Sequence, residues 1–289
     1  MRIPEPQWYK KSTKYLKRNY QLFFEDKYIQ KTIPLFNGTH LKLFPLKKIY
    51  GLQLKDHSTH KAETISELQA YSGLSEEKAF ETIKNIDNQI EADFMKDYSP
   101  NSPELFYQNY KLYYFHLAKT DLEFRHTYFR LNIALSLAKQ NHLTEIVDYG
   151  AGIGRECIAF SQLGFHATHV DLQGYLSKYA AWRYQKRGLS VDIQSPEEFK
   201  NNAKKFDLIF SCDVLEHIPD PMNVIQTWDK KLNAHGYIVT YPDFDNDGTA
   251  LHLECTRDHL KEFNEFFRLN GYQLLYNKHY CMILKKLSS

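Results

Sequence analysis

The string Asp148-Tyr149-Gly150-Ala151-Gly152-Ile153-Gly154 constrains this chain more than any other stretch of it. A run from Glu145 to Val147 leads in as a strand, and residues of helical character follow from Arg155. Closely spaced glycines permit φ > 0 and put no Cβ between backbone and ligand, so a large flat molecule can lie against the main chain. In open α/β sheets the ligand crevice is formed by a strand, a loop of this kind and a helix. The expectation is a mostly parallel α/β sheet with a nucleotide-type cofactor at this loop.

Spacing narrows the choice of cofactor. A dinucleotide fingerprint, G-x-G-x-x-G, needs its third glycine where Arg155 stands, and here that glycine falls one residue early, at Gly154. The phosphate-loop ending G-K-[ST] is missing too. Asp148, two residues before the first glycine, would repel a pyrophosphate. A second strand, Phe165 to Val170, ends in Asp171-Leu172, and Asp171 lies 21 residues after Gly150. That separation suits a carboxylate gripping ribose, because one carboxylate can accept from two adjacent hydroxyls.

The D-x-G-x-G-x-G string resembles the first motif of class I S-adenosylmethionine-dependent methyltransferases. Phe206 to Pro221, with its Leu215-Glu216-His217-Ile218-Pro219-Asp220-Pro221 ending, is similar to the fourth-strand motif of their small-molecule branch. The resemblance covers roughly residues 143–289. It implies a seven-stranded Rossmann-like sheet, mostly parallel with an antiparallel last strand, and S-adenosyl-L-methionine as cofactor. By the same resemblance the cofactor is contacted by Asp148, Tyr149, Gly150, Gly152, Gly154, Asp171, Leu172, Cys212 and Asp213, with Leu172 on the adenine face. The family usually carries an Asp after the third strand (here Val191 to Gln194). Ser195 stands there instead, and backbone groups or Glu197 are the substitutes for the adenine contact. The fifth strand is expected over Gly236–Tyr241, a helix over Thr256–Asn270 ended by Gly271, and two strands over Tyr272–Asn277 and Tyr280–Lys285.

In the family the loop after the fifth strand borders the acceptor pocket, which would bring Asp243, Asp245, His252 and Glu254 near the departing methyl group. An oxygen or nitrogen acceptor must lose a proton, and histidine is suited to that near neutral pH. The catalytic candidates are therefore His252, His217 and Asp243. A different reading of the same loop is calcium, since Asp243, Asp245, Asp247, Gly248 and Glu254 satisfy D-x-[DN]-x-[DN]-G-x5-E. The preceding strand and Pro242 are the wrong context, because that calcium loop is flanked by helices.

Residues 1–140 follow a helical pattern. Leu105, Phe106, Tyr110, Tyr113, Tyr114 and Leu117 recur at 3/4 spacing, and so do Leu122, Phe129, Ile133 and Leu137. Pro103 suits a first helical position. Two short helices are expected over Ile65–Ile86 around Ser72-Gly73-Leu74-Ser75, a pair resembling a helix-turn-helix, although Lys78 and Lys84 give it little basic charge for DNA. This helical N-terminal domain reads as a lid, acceptor-binding or dimerisation element, joined near Lys139–Leu143 to a cofactor-binding domain over 141–289.

Charge and cysteine usage exclude more than they assign. Lys and Arg total 37 against 35 Asp and Glu, so no global field calls for nucleic acid or membrane. Locally, Arg2, Lys10, Lys11, Lys14, Lys17 and Arg18 oppose only Glu5, with Trp8, Tyr9, Tyr15 and Tyr20 interleaved, a pattern that would serve RNA or simply a solvated helix face. The four cysteines lack C-x-x-C spacing and no long apolar run occurs, so a cytoplasmic protein without a membrane span is expected. A small-molecule acceptor is the favoured partner. An RNA or protein acceptor, and a cofactor-binding protein without transfer activity, are the alternatives.

Overall fold

The structure, a computed structural model, describes residues 32–43, 57–97, 103–123, 126–244, 252–253, 259–278 and 281–287. The first described elements form a small hairpin, β1 (Thr32–Pro34) and β2 (His40–Lys42). Among the described residues five helices follow: α1 (His57–Ser72), α2 (Glu76–Asp97), α3 (Pro103–Asn109), α4 (Tyr113–Glu123) and α5 (His126–Gln140). Strands and helices then alternate as β3 (Glu145–Tyr149), α6 (Arg155–Gln162), β4 (His166–Val170), α7 (Tyr175–Lys186), β5 (Asp192–Gln194), α8 (Pro196–Asn201) and β6 (Phe206–Cys212). A single 3-10 turn, Leu215–His217, precedes α9 (Pro221–Lys231) and β7 (Leu232–Tyr241), and α10 (His259–Leu269), β8 (Tyr272–Lys278) and β9 (Cys281–Lys286) complete the order.

The seven strands β3–β9 form one sheet in the order β5-β4-β3-β6-β7-β9-β8. β3 runs parallel to both β4 and β6, and only β9, lodged between β7 and β8, is antiparallel to its neighbours. This is the expected Rossmann-like sheet. Its order reverses at β3: the chain steps outward to β4 and β5, then returns to β6 on the other side of β3. Connections leave the carboxyl ends of β3 and β6 in opposite directions, the place where open α/β sheets form their ligand crevice.

Adjacent residues on each strand serve opposite faces, as the two-residue strand period demands. Ile146, Leu208, Val239 and Ile283 pack with Ile133 and Leu137 of α5, Phe160 of α6 and Tyr184 of α7. Their neighbours Val147, Ile209, Ile238 and Leu284 pack with Phe199, Trp228, Phe263 and Phe267 on the other side. Burial on both faces explains why these strands read as near-continuous apolar runs. β7 starts earlier than the apolar run predicts, at Leu232, where its pairing with β6 is irregular between Phe206 and Leu208.

The helical region differs from its sequence reading in two places. The short helices expected over 65–86 are longer, because the apolar period runs on through Ala79, Ile83, Ile86, Ile90 and Phe94, all buried. The repeat from Leu105 to Leu117 is broken at Tyr110–Leu112 into α3 and α4, which lets Phe106, Tyr113 and Phe115 enter one core from two directions. That core also takes in Ile153 of the glycine loop and Leu176 and Tyr179 of α7. By contrast α5 and the hairpin fill the core of the sheet, with Ile33 and Leu41 beside Leu275 and Phe36 N donating to Leu275 O at 2.7 Å.

Candidate functional site

β3 delivers its last residue, Tyr149, to the mouth of the crevice, and the chain turns at once. Gly150 and Ala151 donate to Val170 O at 2.8 and 3.2 Å, which folds the loop back over the end of β4. Gly150, Gly152 and Gly154 all have positive φ, at 79°, 53° and 75°. A Cβ would overlap Val214 at Gly150 and Tyr184 at Gly154, and would lie 2.7 Å from Leu117 Cδ1 at Gly152. The glycines therefore answer to close packing of the protein's own side chains as well as to dihedral freedom.

Asp171 closes the loop from the β4 side. Its Oδ2 accepts from Gly152 N at 2.5 Å and its Oδ1 from Leu172 N at 2.6 Å. Burial lifts its pKa to about 6, against the pull of those two bonds. Asp148 is buried beneath the loop, where Cys157 Sγ approaches its Oδ2 at 3.8 Å. Burial first, and the Glu156 carboxylate second, hold its pKa well above the usual carboxylate range. Arg155, the cation nearest the loop in sequence, is paired with Glu156. This is a site of carboxylates and backbone amides. It suits a ligand carrying hydroxyls, an amine and a sulfonium, and it offers a phosphate little; the residues fit S-adenosylmethionine.

Other expected contacts have different partners. The Tyr149 ring packs edge-on against Phe199 and Trp228 in the core, at centroid distances of 5.6 and 5.5 Å. Ser195 caps α8: its Oγ accepts from Glu198 N at 3.2 Å, and the Glu198 carboxylate accepts from Ser195 N at 2.7 Å. Glu197 accepts from Asn201 Nδ2 at 2.6 Å. Ser195-Pro196-Glu197-Glu198 is a capping box, a signal legible in the sequence as S-x-x-E. Asp213 has φ 56° and accepts from Arg130 Nη1 at 2.6 Å, while the neighbouring Cys212 thiol is pushed up by burial.

On the β6 side, the 3-10 turn and the segment after β7 bring three side chains together. Leu253 N donates to Glu216 O at 3.0 Å, and this holds His252 beside His217 with ring centroids 5.1 Å apart. Tyr107 of α3 reaches the same place, its Oη 3.0 Å from His217 Nδ1. Glu216 is completely buried, and among the described residues neither carboxylate oxygen has a hydrogen-bond partner. Burial, then Asp213 and Asp243, push it up to about 8. One ligand atom each from Glu216, His217 and His252 lies within 4.8 Å of the others. Tyr113 is buried, and burial first, then the Asp171 and Glu216 carboxylates, raise its pKa.

Of the catalytic candidates, His217 and His252 meet, and Asp243 is near enough to act on Glu216. Asp245, Asp247, Gly248 and Glu254 of the calcium string, and the basic N-terminal segment 1–20, lie outside the described residues. Sequence reasoning missed Glu216, Tyr107 and Arg130 as parts of the site. For Glu216 the signal was present, a carboxylate inside the matched L-E-H string.

A family model described as a methyltransferase domain matches residues 122–286. The chain is similar to a ubiquinone biosynthesis O-methyltransferase of Actinobacillus pleuropneumoniae serotype 5b (strain L20), 31% identical over 101 residues, covering 32% of this chain and 43% of that protein. It is also similar to the protein of the same description from Histophilus somni (strain 2336), 33% identical over 107 residues, covering 34% and 45%. The chain thus spans less than half the length of these relatives in its matches. A solved structure of magnesium protoporphyrin IX methyltransferase from Synechocystis PCC 6803 with bound SAM overlaps 59% of this chain and 83% of that one, at 17% identity and a TM-score of 0.43.

Proposed function

The chain belongs to the class I S-adenosylmethionine-dependent methyltransferase family, and from that premise we propose that it moves a methyl group onto an oxygen of a small-molecule acceptor. The observation that carries the reading is Asp171, a carboxylate fastened to the glycine loop through Gly152 N. When bound, S-adenosylmethionine supplies an electrophilic methyl group on a sulfonium. Asp171 would accept the two ribose hydroxyls through lone pairs that its backbone bonds leave over. Leu172 would cover the adenine, and the loop backbone from Gly150 to Gly154 would pass along the rest of the ligand. Acceptor and methyl are aligned by the walls of the crevice, and in an in-line displacement such alignment supplies much of the rate.

An oxygen acceptor is favoured by the O-methyltransferase descriptions of the matched relatives. A small one is favoured by the L-E-H-I-P-D-P string, whose His217 stands beside the aromatic Tyr107. No helix among the described residues is long and apolar enough to cross a membrane. Free thiols at Cys157, Cys212 and Cys281 fit a reducing cytoplasm.

Calorimetry with S-adenosylmethionine, beside Asp171→Ala, tests the cofactor half. We expect binding by the parent and a loss of at least tenfold in the variant; equal binding would sink the ribose contact. Labelled cofactor offered with fractionated small molecules, RNA and protein tests the acceptor half. Label in the small-molecule fraction is expected. Label only in RNA or protein, or none anywhere, would overturn it.

A further inference from the structure

We propose that Glu216, His217 and His252 form a site for a first-row divalent cation that takes the acceptor's hydroxyl oxygen as its next ligand. The inference rests on the methyl-transfer reading above and adds a metal to its acceptor side. Its first support is burial without a partner. Both oxygens of Glu216 and Nδ1 of His252 are shielded from solvent and make no hydrogen bond among the described residues. Buried polar atoms are nearly always paired, and an unpaired carboxylate is among the costliest exceptions. A cation converts these orphans into ligands at one stroke.

Geometry is the second support. The three ligand atoms fall within 4.8 Å of one another. The edge of a tetrahedral N/O site with bonds of ~2.1 Å is ~3.4 Å, so closure on an ion draws the ligands together by little more than an ångström. The turn that carries Glu216 and His217 is tied to the segment carrying His252 by the Leu253 N to Glu216 O bond, so the three approach as one unit. The third support is the outer layer. With His217 Nε2 on the ion, its Nδ1–H would donate to Tyr107 Oη, a bond already set at 3.0 Å. Metal-bound histidines characteristically have such a partner on the other ring nitrogen.

Donor chemistry selects the ion. Two imidazoles and one carboxylate suit zinc, cobalt, iron or manganese, whereas calcium and magnesium prefer all-oxygen shells. Three protein ligands leave a position open, as catalytic sites require. A hydroxyl oxygen bound there has its pKa lowered and releases its proton to water. Its lone pair then forms the O–CH3 bond, the S–CH3 bond breaks, and that electron pair stays on sulfur as the neutral thioether. His252 thereby acts as a ligand and not as the proton acceptor, and Tyr107 is a positioning residue.

The test uses the full chain stripped with a chelator and titrated with Co2+, read by its visible ligand-field bands, and with Zn2+ by calorimetry. One ion per chain is expected, with affinity reduced at least tenfold in Glu216→Gln and in His252→Ala and about tenfold in Tyr107→Phe. Thermal unfolding keeps the result interpretable: the ion should raise the midpoint of the parent but not of Glu216→Gln, whose own fold should be at least as stable as the metal-free parent. Calcium should produce neither effect. No ion bound, or ion binding unchanged in Glu216→Gln, would overturn the site. S-adenosylmethionine binding by the stripped chain is measured alongside. If the cofactor binds and the ion does not, only the metal inference fails; if the ion binds and the cofactor does not, the methyl-transfer reading fails.

Discussion

Asp171 illustrates how much one side chain is asked to do. Burial holds its pKa at about 6, so at pH 7 it is mostly ionised and at pH 5 mostly protonated. Only the ionised form accepts through both oxygens while still holding Gly152 N and Leu172 N. The raised pKa means that ionised Asp171 costs folding stability as pH climbs from 3.8 through 6, while cofactor binding gains over the same window. Affinity for S-adenosylmethionine should therefore rise about tenfold between pH 5 and pH 7. Asp171→Asn should bind more weakly and flatten that profile; an unchanged slope in the variant would assign the pH dependence to another group. The spacing from Gly150 marked this residue in the sequence. Its bond to Gly152 could not be read there, because the local pattern of β4 says nothing of which neighbour the end of that strand meets.

At the scale of elements, the loop between β3 and α6 is shaped by what packs on it. Gly164 has φ 85° and open space around its missing Cβ, whereas Gly154 has φ 75° with Tyr184 against it. Tyr184 Oη is also 2.8 Å from Nδ1 of the buried His169, so it cannot easily yield. Gly164→Ala should cost about 1–2 kcal/mol, the price of a left-handed alanine. Gly154→Ala should cost about 1–3 kcal/mol beyond that, from overpacking. Denaturant unfolding of the two variants compares them directly, and equal losses would mean that packing against Tyr184 is not what holds the loop. The loop was the most legible element of the chain. The Ser195 capping box was equally legible by its S-x-x-E spacing.

Across the whole molecule, the helical region is tied to the sheet side by a buried cluster of one carboxylate and two arginines. Glu67 of α1 accepts from Arg183 Nε at 2.9 Å and Arg187 Nε at 2.8 Å on α7, and Arg183 Nη1 donates to Ile153 O of the glycine loop at 2.6 Å. The Arg183 and Glu67 side chains are only 4% and 6% exposed, so salt will screen them little. Glu67→Gln removes the carboxylate charge from between two arginines, and a loss of about 3–5 kcal/mol is expected in thermal or chemical unfolding. Because Arg183 also holds Ile153, cofactor affinity should fall with it. A variant with wild-type stability would show that the helices sit on the sheet through apolar contact alone.

What the sequence determined by itself were the features carried by neighbours along the chain: the strand–glycine loop–helix order, the absence of a phosphate pattern, the acid after β4, and strands apolar on both faces. Dihedral preference, side-chain period and short spacings are local properties, and a single sequence displays them. Tertiary structure alone decided which distant residues meet. Tyr107 reaches His217 across 110 positions, Arg130 reaches Asp213 across 83, and His252 returns from beyond β7 to stand beside Glu216 and His217. Such meetings depend on how the sheet reverses at β3 and how the helices settle over it. The glycine loop and the strand end beside it, one contiguous stretch and its near neighbour, were therefore readable in advance, and the cluster of Tyr107, Glu216, His217 and His252, assembled from three separate segments, was not.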